Sequence, residues 1–207
     1  NMAGSYVWAG DNNTAMGLVR SIRDIGHKAH ALSAVASATG KKGNIDAAVP
    51  LFSLAFQDTK RLGSEELRFN VIKHMVRHQA ELGRHADAFK MAGYIRDRRM
   101  QALTILAMGK AMMSINDYTN AETVTDYIPY VGMRSQIFTA LANVKGIAGE
   151  RMNASALLAK GLADTPFKKI NPESLEWALL KTIEIQRRVG APEAAVSLFS
   201  RVRELAK

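Results

Sequence analysis

Gly83-Arg84-His85-Ala86-Asp87-Ala88 and Asn116-Asp117-Tyr118-Thr119-Asn120-Ala121 are two copies of one short segment, a Gly or Asn followed five positions later by Ala. The pattern recurs at Gly10…Ala15, Gly43…Ala48, Gly149…Ala154 and Gly190…Ala195. Gly and Asn are the residues that enter a left-handed backbone at least cost, so each copy reads as the end of one helix and the start of another. Successive copies lie 33, 40, 33, 33 and 41 residues apart. A fixed spacing of this size signals a repeat architecture, and the two longer intervals carry insertions, near residues 56–63 and 164–170.

Around these turns the pattern is helical. Apolar residues recur at i, i+3, i+4 and i+7 before and after each turn, as in Phe69, Ile72, Met75 and Val76 before Gly83. No Pro is expected inside an apolar-periodic segment. Each unit therefore predicts helix A, a tight turn and helix B, and residues 1–207 read as one array of about five full units after a partial first one. Small residues recur at fixed offsets: Ala36, Gly109 and Ala142 seven before the turn, and the six repeated Ala residues five after it. At a helix crossing the side chain sets the separation, and Ala or Gly permits the close end of the usual range. Helix B of units three and four is expected to extend through Ile95 and Ile128. N-caps are expected from Asp11, Asn12 or Asn13, from Asn44 or Asp46, from Ser64 and from Asn171 ahead of Pro172.

Composition limits the function classes. The chain is 47% hydrophobic and 23% charged, which fits a folded protein rather than a disordered one. No apolar run approaches the roughly 20 residues of a membrane span. Cysteine is absent, which excludes disulfides and thiol chemistry. The start carries no basic-then-apolar leader pattern, which favours the cytoplasm, while Asn1 points to a trimmed beginning. The net charge of +9 invites an acidic partner or a nucleic acid.

A helix–turn–helix unit of about 34 residues with small residues at these crossings resembles the tetratricopeptide repeat. The segment Asn116-Asp117-Tyr118-Thr119-Asn120-Ala121 is similar to that family's Gly-Asp-Tyr-x-x-Ala, and Phe52 and Phe199 stand where the family prefers an aromatic. The Pro usual at the end of helix B is missing from most units. The resemblance implies an all-α, right-handed superhelical solenoid. Its inner groove would be lined by side chains ten and six before each turn: Ser33 and Ser37, Lys73 and Arg77, Leu106 and Lys110, Thr139 and Asn143, Leu180 and Glu184. Asn70 and Gln136 join them one turn earlier. Lys73 and Arg77 resemble the Lys-x-x-x-Arg pair of carboxylate-clamp repeats, though Ser33 and Ser37 depart from the rest of that clamp.

The resemblance thus implies a non-enzymatic scaffold that binds an acidic peptide or partner segment, through Asn70, Lys73, Arg77, Leu106, Lys110, Thr139 and Asn143. The rival is nucleic-acid binding, because residues 60–100 hold ten basic and five acidic side chains. Against it, the presumed groove positions vary from Ser to Lys to Leu to Thr, and a one-base-per-repeat reader needs the same polar positions filled in each unit. A structural or regulatory segment of a larger protein is a third reading. No catalytic motif, cofactor or metal site is expected. His74 and His78, and His27 and His30, have helical ligand spacing, but they lack the Glu of a zinc-protease helix and are expected to be solvent-exposed.

Overall fold

The computed structural model describes residues 2–163 and Glu184, and the regular structure among them is all helix, with no strand. Turn Gly190…Ala195, Asn171-Pro172, Phe199 and Leu180 lie outside the described residues. So does the second insertion, residues 164–170.

The five described turns share one geometry. Gly10, Gly43, Gly83 and Gly149 have φ of 88°, 92°, 72° and 81°, and Asn116 has φ 62°. Each closes the preceding helix with the same pair of bonds. At Gly83, the Gly83 amide donates to Ala80 O (3.0 Å) and the Arg84 amide to Gln79 O (2.9 Å). At Asn116 the donors are Asn116 to Met113 O (3.1 Å) and Asp117 to Met112 O (2.9 Å). This double closure is the Schellman motif, which satisfies carbonyls that a helix end otherwise strands. The Gly-to-Asn replacement at 116 therefore preserves the turn.

The chain divides into two compact units, Asn1–Asp117 and Tyr118–Lys207. The first holds α1 (Met2–Trp8), α2 (Asn12–Ser21), α3 (Ile25–Lys41), α4 (Ile45–Lys60), α5 (Glu65–Glu81), α6 (His85–Ala92) and α7 (Arg98–Ser114). Each of α1, α3 and α5 packs on the helix that follows its turn, and α1, α3, α5 and α7 also pack one on the next. The side chains that fill these contacts include Leu32, Phe52, Ile72, Met75, Met108 and Met112, all under 3% exposed. Ala15, Ala48 and Ala88, five after their turns, are wholly buried. Helix starts are capped as the sequence implies: Asp11 Oδ1 accepts from Thr14 N (2.9 Å) and Asn44 Oδ1 from Ala47 N (3.1 Å). Ser64 Oγ accepts from Leu67 N at 3.4 Å. Asp24 and Asp97 add caps at α3 and α7, each at 2.7 Å.

The second unit, over its described part, holds α8 (Tyr118–Thr123), a 3-10 turn (Val124–Tyr127), α9 (Val131–Ile147) and α10 (Arg151–Ala163). α9 packs on α10 and on α8, burying Ile137, Phe138, Leu141 and Leu158. Ala121, Ala142 and Ala154 are wholly buried here too. A Cβ added at Gly161 would lie 3.0 Å from Phe138 Cβ, so α9 and α10 approach as closely as a missing side chain permits.

Two expectations need correction. Pro50 lies inside α4, on its exposed side. It removes one backbone donor, and burial of Ala48, Phe52 and Ala55 on the other face holds the helix regardless. The residues inserted at 56–63 lie partly in this helix, which runs to Lys60. Ile95 and Ile128 are buried but lie beyond α6 and α8. Gly93 ends α6, and Pro129 disfavours a helical Ile128.

Candidate functional site

The predicted groove residues separate into two groups. Ser33 and Ser37 are 1% and 4% exposed and Leu106 is 6% exposed, so these three belong to the interior of the first unit and line no surface. The reason is the neighbourhood: α3 is packed by α1, α2, α4 and α5, and α7 by α5 and α6, which leaves little of either helix open. Asn70, Arg77 and Lys110 are exposed and Lys73 is half-buried. In the second unit Thr139, Asn143 and Arg134 are half-buried and Gln136 is exposed.

On α5, one carboxylate organises the charged surface. Glu81 Oε2 lies 2.6 Å from Lys41 Nζ, which comes from the end of α3. Glu81 Oε1 lies 3.3 Å from Arg77 Nε, and His78 Nδ1 stands 3.6 Å from Oε2. The Glu81 side chain is only 14% exposed, whereas Arg77 and Lys41 are 49% and 41% exposed. The His78 side chain and then the Lys41 ammonium hold the Glu81 carboxyl down to about 2, against burial, which acts the other way. One buried acid thus anchors cations from two helices, and their outer faces remain in solvent. Lys73 folds back so that its ammonium lies 4.9 Å from the Phe69 ring centroid.

Beside this network two histidines meet across α3 and α5. The rings of His30 and His74 lie edge to face with centroids 4.5 Å apart. Both are half-buried, as are His78 and His85, so of the two sequence pairs only His27 is exposed. Burial, then the neighbouring His30, Arg77, His78 and Lys73, push the His74 imidazole down to about 4. His30 is lowered by burial and by His78, His27 and Arg77. At neutral pH this pair is therefore an uncharged patch inside a cationic surface. Among the described residues no three His, Asp or Glu side chains are grouped to hold a metal ion. None of the helices described is long and apolar enough to cross a membrane.

The sequence pattern points to Lys73 and Arg77 but not to Lys41, Glu81 or the His30–His74 contact. A signal for the first two was present: Lys41 and Glu81 each stand two before their Gly, the same repeat position in consecutive units. No comparable offset joins His30 to His74, which are thirteen and nine before theirs. No family model, curated protein or solved structure matches this chain.

Proposed function

We propose that the chain is a tetratricopeptide-like helical array that acts as a non-enzymatic scaffold, and that it captures an acidic segment of a partner protein. Three features support the array reading: the five turns of one geometry, the wholly buried Ala five after each, and the packing of α1, α3, α5 and α7 in succession. In this reading they are consecutive hairpins of a right-handed solenoid. The observation that carries the binding site is the cluster of Lys73 and Arg77 on α5, with Lys41 of α3 beside Arg77 on Glu81. Arg77 and Lys73 share α5 with the exposed amide of Asn70, and Lys110 occupies on α7 the position that Arg77 occupies on α5, six before the turn. Arg offers a planar fork to a carboxylate and Lys a point charge, so a row of the two suits Asp, Glu or a chain-terminal carboxylate. Thr139 and Asn143, in the other unit, are not needed for it.

The test uses fluorescent acidic dodecapeptides, each with a free and an amidated C-terminus, titrated against the wild type and a Lys73→Glu, Arg77→Glu variant. Charge reversal should weaken binding by about tenfold or more with the far-UV circular dichroism unchanged. Undiminished binding would move the site elsewhere on the chain. A free-terminus preference would identify a terminal carboxylate as the recognised group.

A further inference from the structure

A cleft of about 280 Å³ lies among α4, α5, α6 and the turn after α6, and none of the histidine-rich cluster lines it. We propose that it is a second binding site, for a small organic anion that carries a flat apolar body and an N–H or O–H donor. The volume sits near the ~300 Å³ lower bound of ordinary ligand pockets, which restricts the occupant to a small molecule or the tip of a larger one.

Three observations define the chemistry. The first is charge. Lys60, Arg84 and Lys90 line the cleft against a single acid, Asp87, which is already paired with Arg84. Lys90 makes no ion pair among the described residues, and Arg84 Nε is buried without an acceptor. The lining is therefore cationic beyond what its own acid neutralises.

The second is an orphaned acceptor. Gln79 is 3% exposed, and its Nε2 lies 3.7 Å from Met91 Sδ. A thioether accepts but cannot donate, so the amide must present its nitrogen to the sulfur, which leaves Oε1 facing away. That oxygen is buried and has no hydrogen-bond donor among the described residues. A buried carbonyl without a donor is unfavourable, and a ligand N–H or O–H relieves it.

The third is the wall. Phe56 and Tyr94 meet edge to face with centroids 4.7 Å apart. The Lys60 ammonium stands 4.7 Å and 5.0 Å from those two centroids, so the rings hold a cation at the cleft's edge while Val49 and Met91 supply apolar lining. An anionic head meets Lys60 and Lys90, a flat body lies against the apolar lining, and its donor reaches Gln79 Oε1.

The whole chain is titrated with indole-3-acetate, indoxyl phosphate, the neutral alcohol tryptophol and 1-naphthylacetate, which lacks the N–H. Amide signals of Lys60, Gln79 and Tyr94 are followed by NMR. At least one of the two indole anions should saturate these signals, and tryptophol should bind about tenfold more weakly. Whichever anion binds more tightly distinguishes a carboxylate from a phosphate head. A Lys60→Glu, Lys90→Glu variant changes only exposed side chains and should lose about tenfold in affinity. Indole-3-acetate should also bind several-fold more tightly than 1-naphthylacetate, a difference that Gln79→Leu abolishes. No saturable shift with either indole anion up to about 10 mM would overturn the proposal. So would equal binding of tryptophol, or undiminished binding by the Lys60, Lys90 variant. Because that variant leaves Lys73 and Arg77 untouched, its outcome is separate from that of the acidic-segment test.

Discussion

Glu81 and His74 make the charged surface of α5 sensitive to acid in two adjoining windows. The His74 imidazole stands at about 4 in the folded chain, below its ordinary 6.5. Between those values the unfolded chain takes up a proton that the folded chain refuses, so stability falls as pH drops from 6.5 towards 4. The Glu81 carboxyl stands at about 2 against an ordinary 4.5, and its contribution is full above 4.5 and lost as pH falls towards 2. Urea midpoints across this range should decline in both windows. His74→Phe should flatten the upper decline and Glu81→Gln the lower one, and a variant whose profile matched wild type would remove that residue from the account. Pro50 offers a prediction of opposite sign. It lies inside α4 on the exposed side, where a Pro costs a helix about 3 kcal/mol less the entropy it removes from the unfolded chain. Pro50→Ala should stabilise by about 2 kcal/mol in urea unfolding.

At the scale of elements, the turn and the crossing are what the sequence made legible. Gly or Asn at a left-handed position and Ala five later were readable because both are steric demands of the backbone, felt at each copy. The same counting failed for side chains whose environment depends on neighbouring helices. Ser33, Ser37 and Leu106 occupy positions equivalent to Lys73, Arg77 and Lys73 respectively, yet they are buried, because the position of a residue in its unit does not say how many helices surround it. His30 and His74 meet for a reason invisible in either pair taken alone. Helix B ends short of its apolar period where Gly93 and Pro129 override a pattern that continues to Ile95 and Ile128. The crossings themselves yield a test. Ala121 and Ala154 are wholly buried, so Ala121→Leu or Ala154→Leu should overpack its site and cost about 1–3 kcal/mol, read as a lower urea midpoint. A variant that unfolded like wild type would mean the crossing is not tight there.

At the scale of the molecule, the question is whether a net charge of +9 makes the chain a polyanion binder. Affinity for nucleic acid grows with the number of phosphates neutralised, and its logarithm falls with log salt at about −0.7 per phosphate on a single strand. Cations that already hold a carboxylate contribute little to that count. Four of the ten basic side chains in residues 60–100 hold a carboxylate, Arg77 among them: Arg68 lies 3.4 Å from Glu65, Arg61 lies 3.7 Å from Asp58, and Arg84 is paired with Asp87. Lys41 and Arg77 share Glu81. What remains in that stretch is Lys60, Lys73, Lys90, Arg96, Arg98 and Arg99, spread over α4, α5, α6 and the start of α7 rather than set along one row. If the chain captures an acidic protein segment and does not track a phosphate backbone, a fluorescein-labelled single-stranded oligonucleotide should bind weakly, with a slope no steeper than about −2, and its anisotropy should return to the free value near physiological salt. Retention there, with a slope steeper than about −3, would favour the nucleic-acid reading over the acidic protein segment.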